Sequence, residues 1–186
     1  MPRERLTLSA GWQWRLANSN SSSKADSIPE IKEWTPASTF PSVIQLELLH
    51  TKLLPDPNVG ENERLIQWVG EADWEYSCAF PTPDSATSRD KIELLFEGLD
   101  TFATVQLNGK QILQSDNMFI PHRVDIKDHL QPSGTDNEIV ILFESAFKEG
   151  QELEKIYGQR VSIMRDPKRM HIRKAQVSTA TMRTSD

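Results

Sequence analysis

The stretch LFEGLDTFATVQLNGKQILQSDNMFIPHRVDI, residues Leu95–Ile126, decides the fold. Val105 and Leu107 alternate with polar Gln106 and run into Asn108-Gly109. Asn-Gly tolerates the positive φ angles that a two-residue β-hairpin demands, so a tight hairpin is predicted there. Phe119–Ile126 resumes the alternation, with Ile120, His122, Val124 and Ile126 on one side of the strand and Pro121, Arg123 and Asp125 on the other. The whole stretch reads as strand, turn, strand, hairpin, strand, turn, strand.

Working outward, the same period of two recurs. Trp74, Tyr76, Cys78 and Phe80 share one face of a strand over Ala72–Phe80, and Ile92, Leu94 and Phe96 share one face of Lys91–Glu97. Ile139–Phe143 is a nearly unbroken apolar run, as expected of a strand covered on both faces. Gly11–Leu16 sets Trp12, Trp14 and Leu16 against Gln13 and Arg15, a half-buried first strand. Val43–Leu54 fits a short helix or a strand equally, and Glu61–Val69 suits one or two helical turns. Ala146–Tyr157 reads as a charged helix, Arg169–Gln176 as a further strand, and the Ser/Asn-rich Asn18–Ser27 as a solvated loop. Many short strands punctuated by turns, with one or two short helices, predict an all-β domain: an antiparallel β-sandwich.

Composition narrows the function. The 186 residues can bury a real core, and 37% apolar with 26% charged residues is ordinary for a globular chain. A net charge of −6 argues against nucleic acid or an anionic membrane as partner, since phosphate neutralisation needs clustered cations. Arg160, Arg165, Lys168, Arg169, Arg173 and Lys174 form a basic stretch without interleaved aromatics, a weak nucleic-acid signal. The single cysteine, Cys78, rules out an internal disulfide framework. No apolar leader or membrane span is evident, so a cytoplasmic location is expected.

Certain segments also resemble a known family. Gly98-Leu99-Asp100-Thr101, Ala103, Val105 and Leu107-Asn108-Gly109 resemble the signature of the N-terminal sugar-binding domain of family 2 glycoside hydrolases. Pro55-Asp56-Pro57, Gly60-Glu61-Asn62-Glu63, Gln67-Trp68-Val69, Asp73-Trp74-Glu75-Tyr76 and Asn117–Arg123 look most like its β-mannosidase branch, and the likeness covers about residues 5–176. It implies a jelly-roll sandwich of the galactose-binding kind over 1–176, with 177–186 a divergent, disordered tail. It also implies a parent enzyme that releases terminal β-D-mannose with retention, through two glutamates of a separate barrel not present here. In that branch a Trp-rich segment with a sugar-contacting Asp follows a stretch like Arg173-Lys174-Ala175-Gln176. Here Val177-Ser178-Thr179-Ala180-Thr181 stands instead. The expectation is therefore a chain that ends before the site is assembled, with no catalytic residue of its own and no assignable substrate-binding residue.

The remaining candidates read as structural. Glu144, Glu149, Glu152 and Glu154 have the spacing of a solvated helix face. Asp100 reads as a turn cap and Asn108 as a hairpin residue. Trp74 and Tyr76 read as core, and His122 as a satisfied structural histidine. His122 and His129 lack metal-pair spacing and clustered cysteine or carboxylate, so neither a metal nor another cofactor is expected. The alternative to an enzyme domain is a free-standing module that binds carbohydrate, or docks, without hydrolysis.

Overall fold

Strand β4 (Trp74–Pro81) is the axis of the structure. It pairs antiparallel with β2 (Gln13–Leu16) on one side and β9 (Asp136–Phe143) on the other. The computed structural model describes residues 5–17, 31–158 and 180–185. Two antiparallel sheets result. One has the order β3-β2-β4-β9-β6-β7, adding β3 (Thr35–Pro36), β6 (Ala103–Leu107) and β7 (Lys110–Ser115). The other has the order β1-β10-β5-β8, from β1 (Arg5–Leu6), β10 (Ala180–Ser185), β5 (Lys91–Phe96) and β8 (His122–Asp125). This is the expected sandwich.

Alternation explains how the sheets meet. Cys78 and Phe80 of β4, Ile139 and Ile141 of β9, and Val105 and Leu107 of β6 face Ile92, Leu94 and Phe96 of β5 in one buried cluster. Val140 and Leu142 point the other way and are only half-buried, so β9 is not covered equally on its two faces. Asn108 (φ 52°) and Gly109 (φ 78°) take the positive φ angles of the predicted hairpin. A bulge between Val105 and Gln106 shifts the register against β7.

Helix α1 (Ile44–His50) settles the ambiguity over Val43–Leu54. Its Leu48 joins Trp14, Trp74, Val69 and Leu54 in a second buried cluster, so α1 and the short α2 (Asn62–Leu65) and α3 (Trp68–Glu71) close one corner of the sandwich. The Trp74 indole N–H donates to the Val69 carbonyl at 3.0 Å, fixing α3 to β4. Helix α4 (Ala146–Tyr157) follows β9.

The structure departs from the sequence reading in two places. The strand expected over Phe119–Ile126 begins only at His122: Met118 is buried and Ile120 is turned out to solvent. The segment 177–186 was expected to be a disordered tail, but Ala180–Ser185 forms β10, paired with β5 from Ala180↔Phe96 to Ser185↔Lys91 and with β1 at Leu6↔Met182. Backbone N–H and C=O groups complete a ladder whatever the side chains, so absence of apolar periodicity did not exclude a strand. Asn18–Ser27, Arg169–Gln176 and the basic stretch from Arg160 to Lys174 lie outside the described residues.

Candidate functional site

The register places several of the singled-out segments at one end of the sandwich. β6 starts there at Ala103, opposite Phe143 where β9 ends, opposite Trp74 where β4 starts, opposite Leu16 where β2 ends. In the second sheet β5 ends there at Phe96, facing His122 and Ala180. The loops 97–102 and 116–121, the start of α4 and the entry to β10 therefore share this far end. The hairpin at Asn108–Gly109 marks the other.

Each far-end loop is pinned by polar bonds. Ser115 Oγ lies 3.1 Å from His122 Nε2 and bridges β7 to β8. Asn117 Oδ1 accepts from the Phe119 N–H at 2.9 Å, a local turn that presents Phe119 and Ile120 outward. The Thr101 hydroxyl reaches Asp100 Oδ1 at 3.3 Å and Met118 Sδ at 3.8 Å. His122 is thus structural, with Ser115 as its partner.

The acidic groups at this end are also engaged. Asp73 accepts from the Ser145 N–H at 2.7 Å and from Lys148 Nζ at 3.2 Å. Ser145 caps α4, accepting from the Lys148 N–H at 3.2 Å while its hydroxyl donates to the Gly70 carbonyl at 2.6 Å. Burial, then the charges of Glu149 and Asp73, push the Glu144 carboxyl up. Glu152 pairs with Lys155 at 2.5 Å on the exposed face of α4. Among the described residues no group of three His, Cys, Asp or Glu could hold a metal ion.

The hairpin end is closed by side-chain amides. Asn108 donates to the His129 carbonyl at 2.8 Å and to Asn137 Oδ1 at 3.0 Å, and its own Oδ1 accepts from the Glu138 N–H at 2.9 Å. Asn137, 1% exposed, donates to Thr82 Oγ1 at 2.8 Å and accepts from the Gln131 N–H at 2.8 Å. Asn108 therefore does more than supply a turn. His129 contributes its carbonyl here, and Asp100 stands at the opposite end.

The five tryptophans are the natural place to look for a sugar platform. Trp12 stacks on Phe40 at 5.1 Å, Trp14 meets Trp74 edge-on at 6.1 Å, and Trp68 leans on Trp74 at 5.9 Å. The Arg15 guanidinium sits 4.1 Å over the Trp34 ring and pairs with Glu75 at 2.6 Å. Each indole already has a neighbour.

With this geometry in view, comparison with known proteins is decisive. The profile of the glycosyl hydrolase 2 galactose-binding domain-like family matches residues 12–181. The chain belongs to this family. Beta-mannosidase B of Thermothelomyces thermophilus is 45% identical to it over 155 residues, which are 82% of this chain and 16% of that protein. Beta-mannosidase B of Aspergillus clavatus is 38% identical over 175 residues, 93% of this chain and 19% of that protein. The crystal structure of a β-D-mannosidase from Dictyoglomus thermophilum superposes with a TM-score of 0.77 at 29% identity, covering 98% of this chain and 22% of that one. A β-glucuronidase from an uncultured Clostridium shares the fold alone, with a TM-score of 0.51 at 16% identity over 76% of this chain. The galactose-binding-like domain thus spans less than a fifth of the length of these curated relatives.

Within the galactose-binding-like domain, three polar residues gave no sequence signal of their importance. Glu47, fully buried on α1, accepts from the Ser38 N–H at 2.8 Å and from the Ser42 hydroxyl, and so ties 38–42 to the helix. Asn137 and Asp73 are the other two. All three bond to residues distant in the chain or on another element, and local pattern cannot reveal that.

Proposed function

We propose that this domain is a non-catalytic sandwich serving a β-mannoside-hydrolysing glycosidase, and that alone it hydrolyses nothing. The carrying observation is 45% identity to a beta-mannosidase B across a segment that makes up only 16% of that protein. A retaining glycosidase needs two carboxyl groups about 5–5.5 Å apart, one as nucleophile and one as acid/base. The described glutamates do not supply such a pair: Glu152 is held on a solvated helix face, and Glu144 stands beside an Asp73 already committed to capping α4. The far end, where the 97–102 and 116–121 loops meet the entry to β10, is the end that faces the carbohydrate-processing body of such an enzyme. Carbohydrate is therefore a partner of the longer enzyme. A cytoplasmic location belongs to the same proposal, supported by the lone buried thiol of Cys78 and by the lack, among the described residues, of any helix long and apolar enough to cross a membrane.

The test is turnover of a chromogenic β-mannoside by the purified chain, with Glu144→Gln and Glu152→Gln beside it. All three should match the host-protein background. Turnover that either substitution abolishes would overturn the proposal, because contaminating enzyme is indifferent to changes in this chain.

A further inference from the structure

Two buried donors and one buried acceptor face each other where α1 meets the β2–β4 ladder. Trp14 is 0% exposed and its indole N–H has no protein partner; the hydroxyl of Tyr76 is equally inaccessible and equally unpartnered. The two residues are directly opposite in register, so both lie on the inner face. Glu47, also 0% exposed, takes one bond on each carboxylate oxygen, from Ser38 and Ser42, which leaves lone pairs unused on both. Its charge reaches the Tyr76 hydroxyl and, after burial itself, is the second cause that pushes the phenol up.

A donor-only indole cannot be satisfied by a phenol that is itself seeking an acceptor unless the phenol turns its own proton elsewhere. One water meets every demand: it accepts twice and donates twice. We infer that a buried water is held among Trp14, Tyr76 and Glu47, accepting from the indole N–H and the phenol O–H and donating to the carboxylate. It joins α1 and the 38–42 segment to the central ladder, and so positions the helical corner against the far end of the sandwich.

Indole-¹⁵N NMR of the full chain tests this. Trp12 and Trp74 are internal controls, because their N–H groups already donate to the Leu8 and Val69 carbonyls at 2.9 and 3.0 Å. The Trp14 indole proton, assigned with Trp14→Phe, should show a cross-peak to a long-lived water that the other two lack. The peak should persist, weakened, in Tyr76→Phe, where the indole and Glu47 still hold the water. No peak at Trp14, or equal peaks at all three buried indoles, would overturn the inference. So would a peak lost in a folded Tyr76→Phe, since it would then have been relayed by the phenol proton through a direct Tyr76–Glu47 bond.

Discussion

Cys78 shows what position does to one side chain. It lies on the inner face of β4, its thiol donates to the Ala10 carbonyl at 3.3 Å, and burial raises its pKa from 9.0 to about 11. The folded chain thus keeps this proton at pH values where the unfolded chain has lost it. The stability linked to it is complete below 9.0 and declines as pH climbs toward about 11, and Tyr76, raised above its ordinary 10.0, steepens the decline. Urea midpoints should therefore fall across this alkaline range, and less steeply in Tyr76→Phe; a flat profile would refute the burial of both groups. At neutral pH the native thiol should resist a thiol reagent until denaturant is added. Glu144, pushed up by burial and two neighbouring carboxylates, is destabilising once ionised. Its contribution is fully present below the ordinary carboxyl value of 4.5 and lost as pH rises through the raised one. Glu144→Gln should accordingly raise Tm at neutral pH, with the gain vanishing in acid.

At the scale of elements, the two ends of the sandwich are held differently. The hairpin end depends on Asn137, whose amide serves β4, the Gln131 backbone and Asn108 together. Asn137→Ala would leave buried partners unsatisfied, each at a cost of about 1–3 kcal/mol. We expect a loss of that size in chemical denaturation, with the fold retained; a loss below experimental error would show the amide bonds to be dispensable. Strand β10 makes its own prediction. Its backbone lies between β1 and β5, so amides of Ala180–Ser185 engaged in the ladder should exchange with solvent as slowly as those of β5. Exchange as fast as in an unfolded peptide would return the segment to the tail that its polar sequence suggests.

At the scale of the molecule, the domain looks built to be joined rather than to act alone. Sugar-binding modules present open aromatic faces, whereas here three of the five indoles are buried and the Trp34 face is covered by Arg15. The isolated chain should therefore give no saturable heat with mannose or β-mannobiose in calorimetry. A Kd in the micromolar range would favour the free-standing carbohydrate-binding reading instead. The polar pinning of the 97–102 and 116–121 loops, with Phe119 and Ile120 held outward, is economical for a surface that meets other protein, because little ordering remains to be done on contact.

By itself the sequence determined the class of fold. Period-two alternation in Trp74–Phe80, Ile92–Phe96 and Val105–Leu107 specifies which faces must be buried, and Asn108-Gly109 specifies a hairpin, because both are local consequences of backbone geometry. The residues that carry the family likeness were legible for the same reason: they are contiguous words. Only the tertiary structure decided how those words are used. It took 116–121 out of the strand to bury Met118, made a helix of Ile44–His50 by giving Leu48 a place against Trp14 and Trp74, and recruited Ala180–Ser185 as a strand. It also assigned Glu47, Asp73 and Asn137 their partners. The physical reason is common to all of these: they depend on which group is brought opposite by residues far away in the chain, and no local period encodes that.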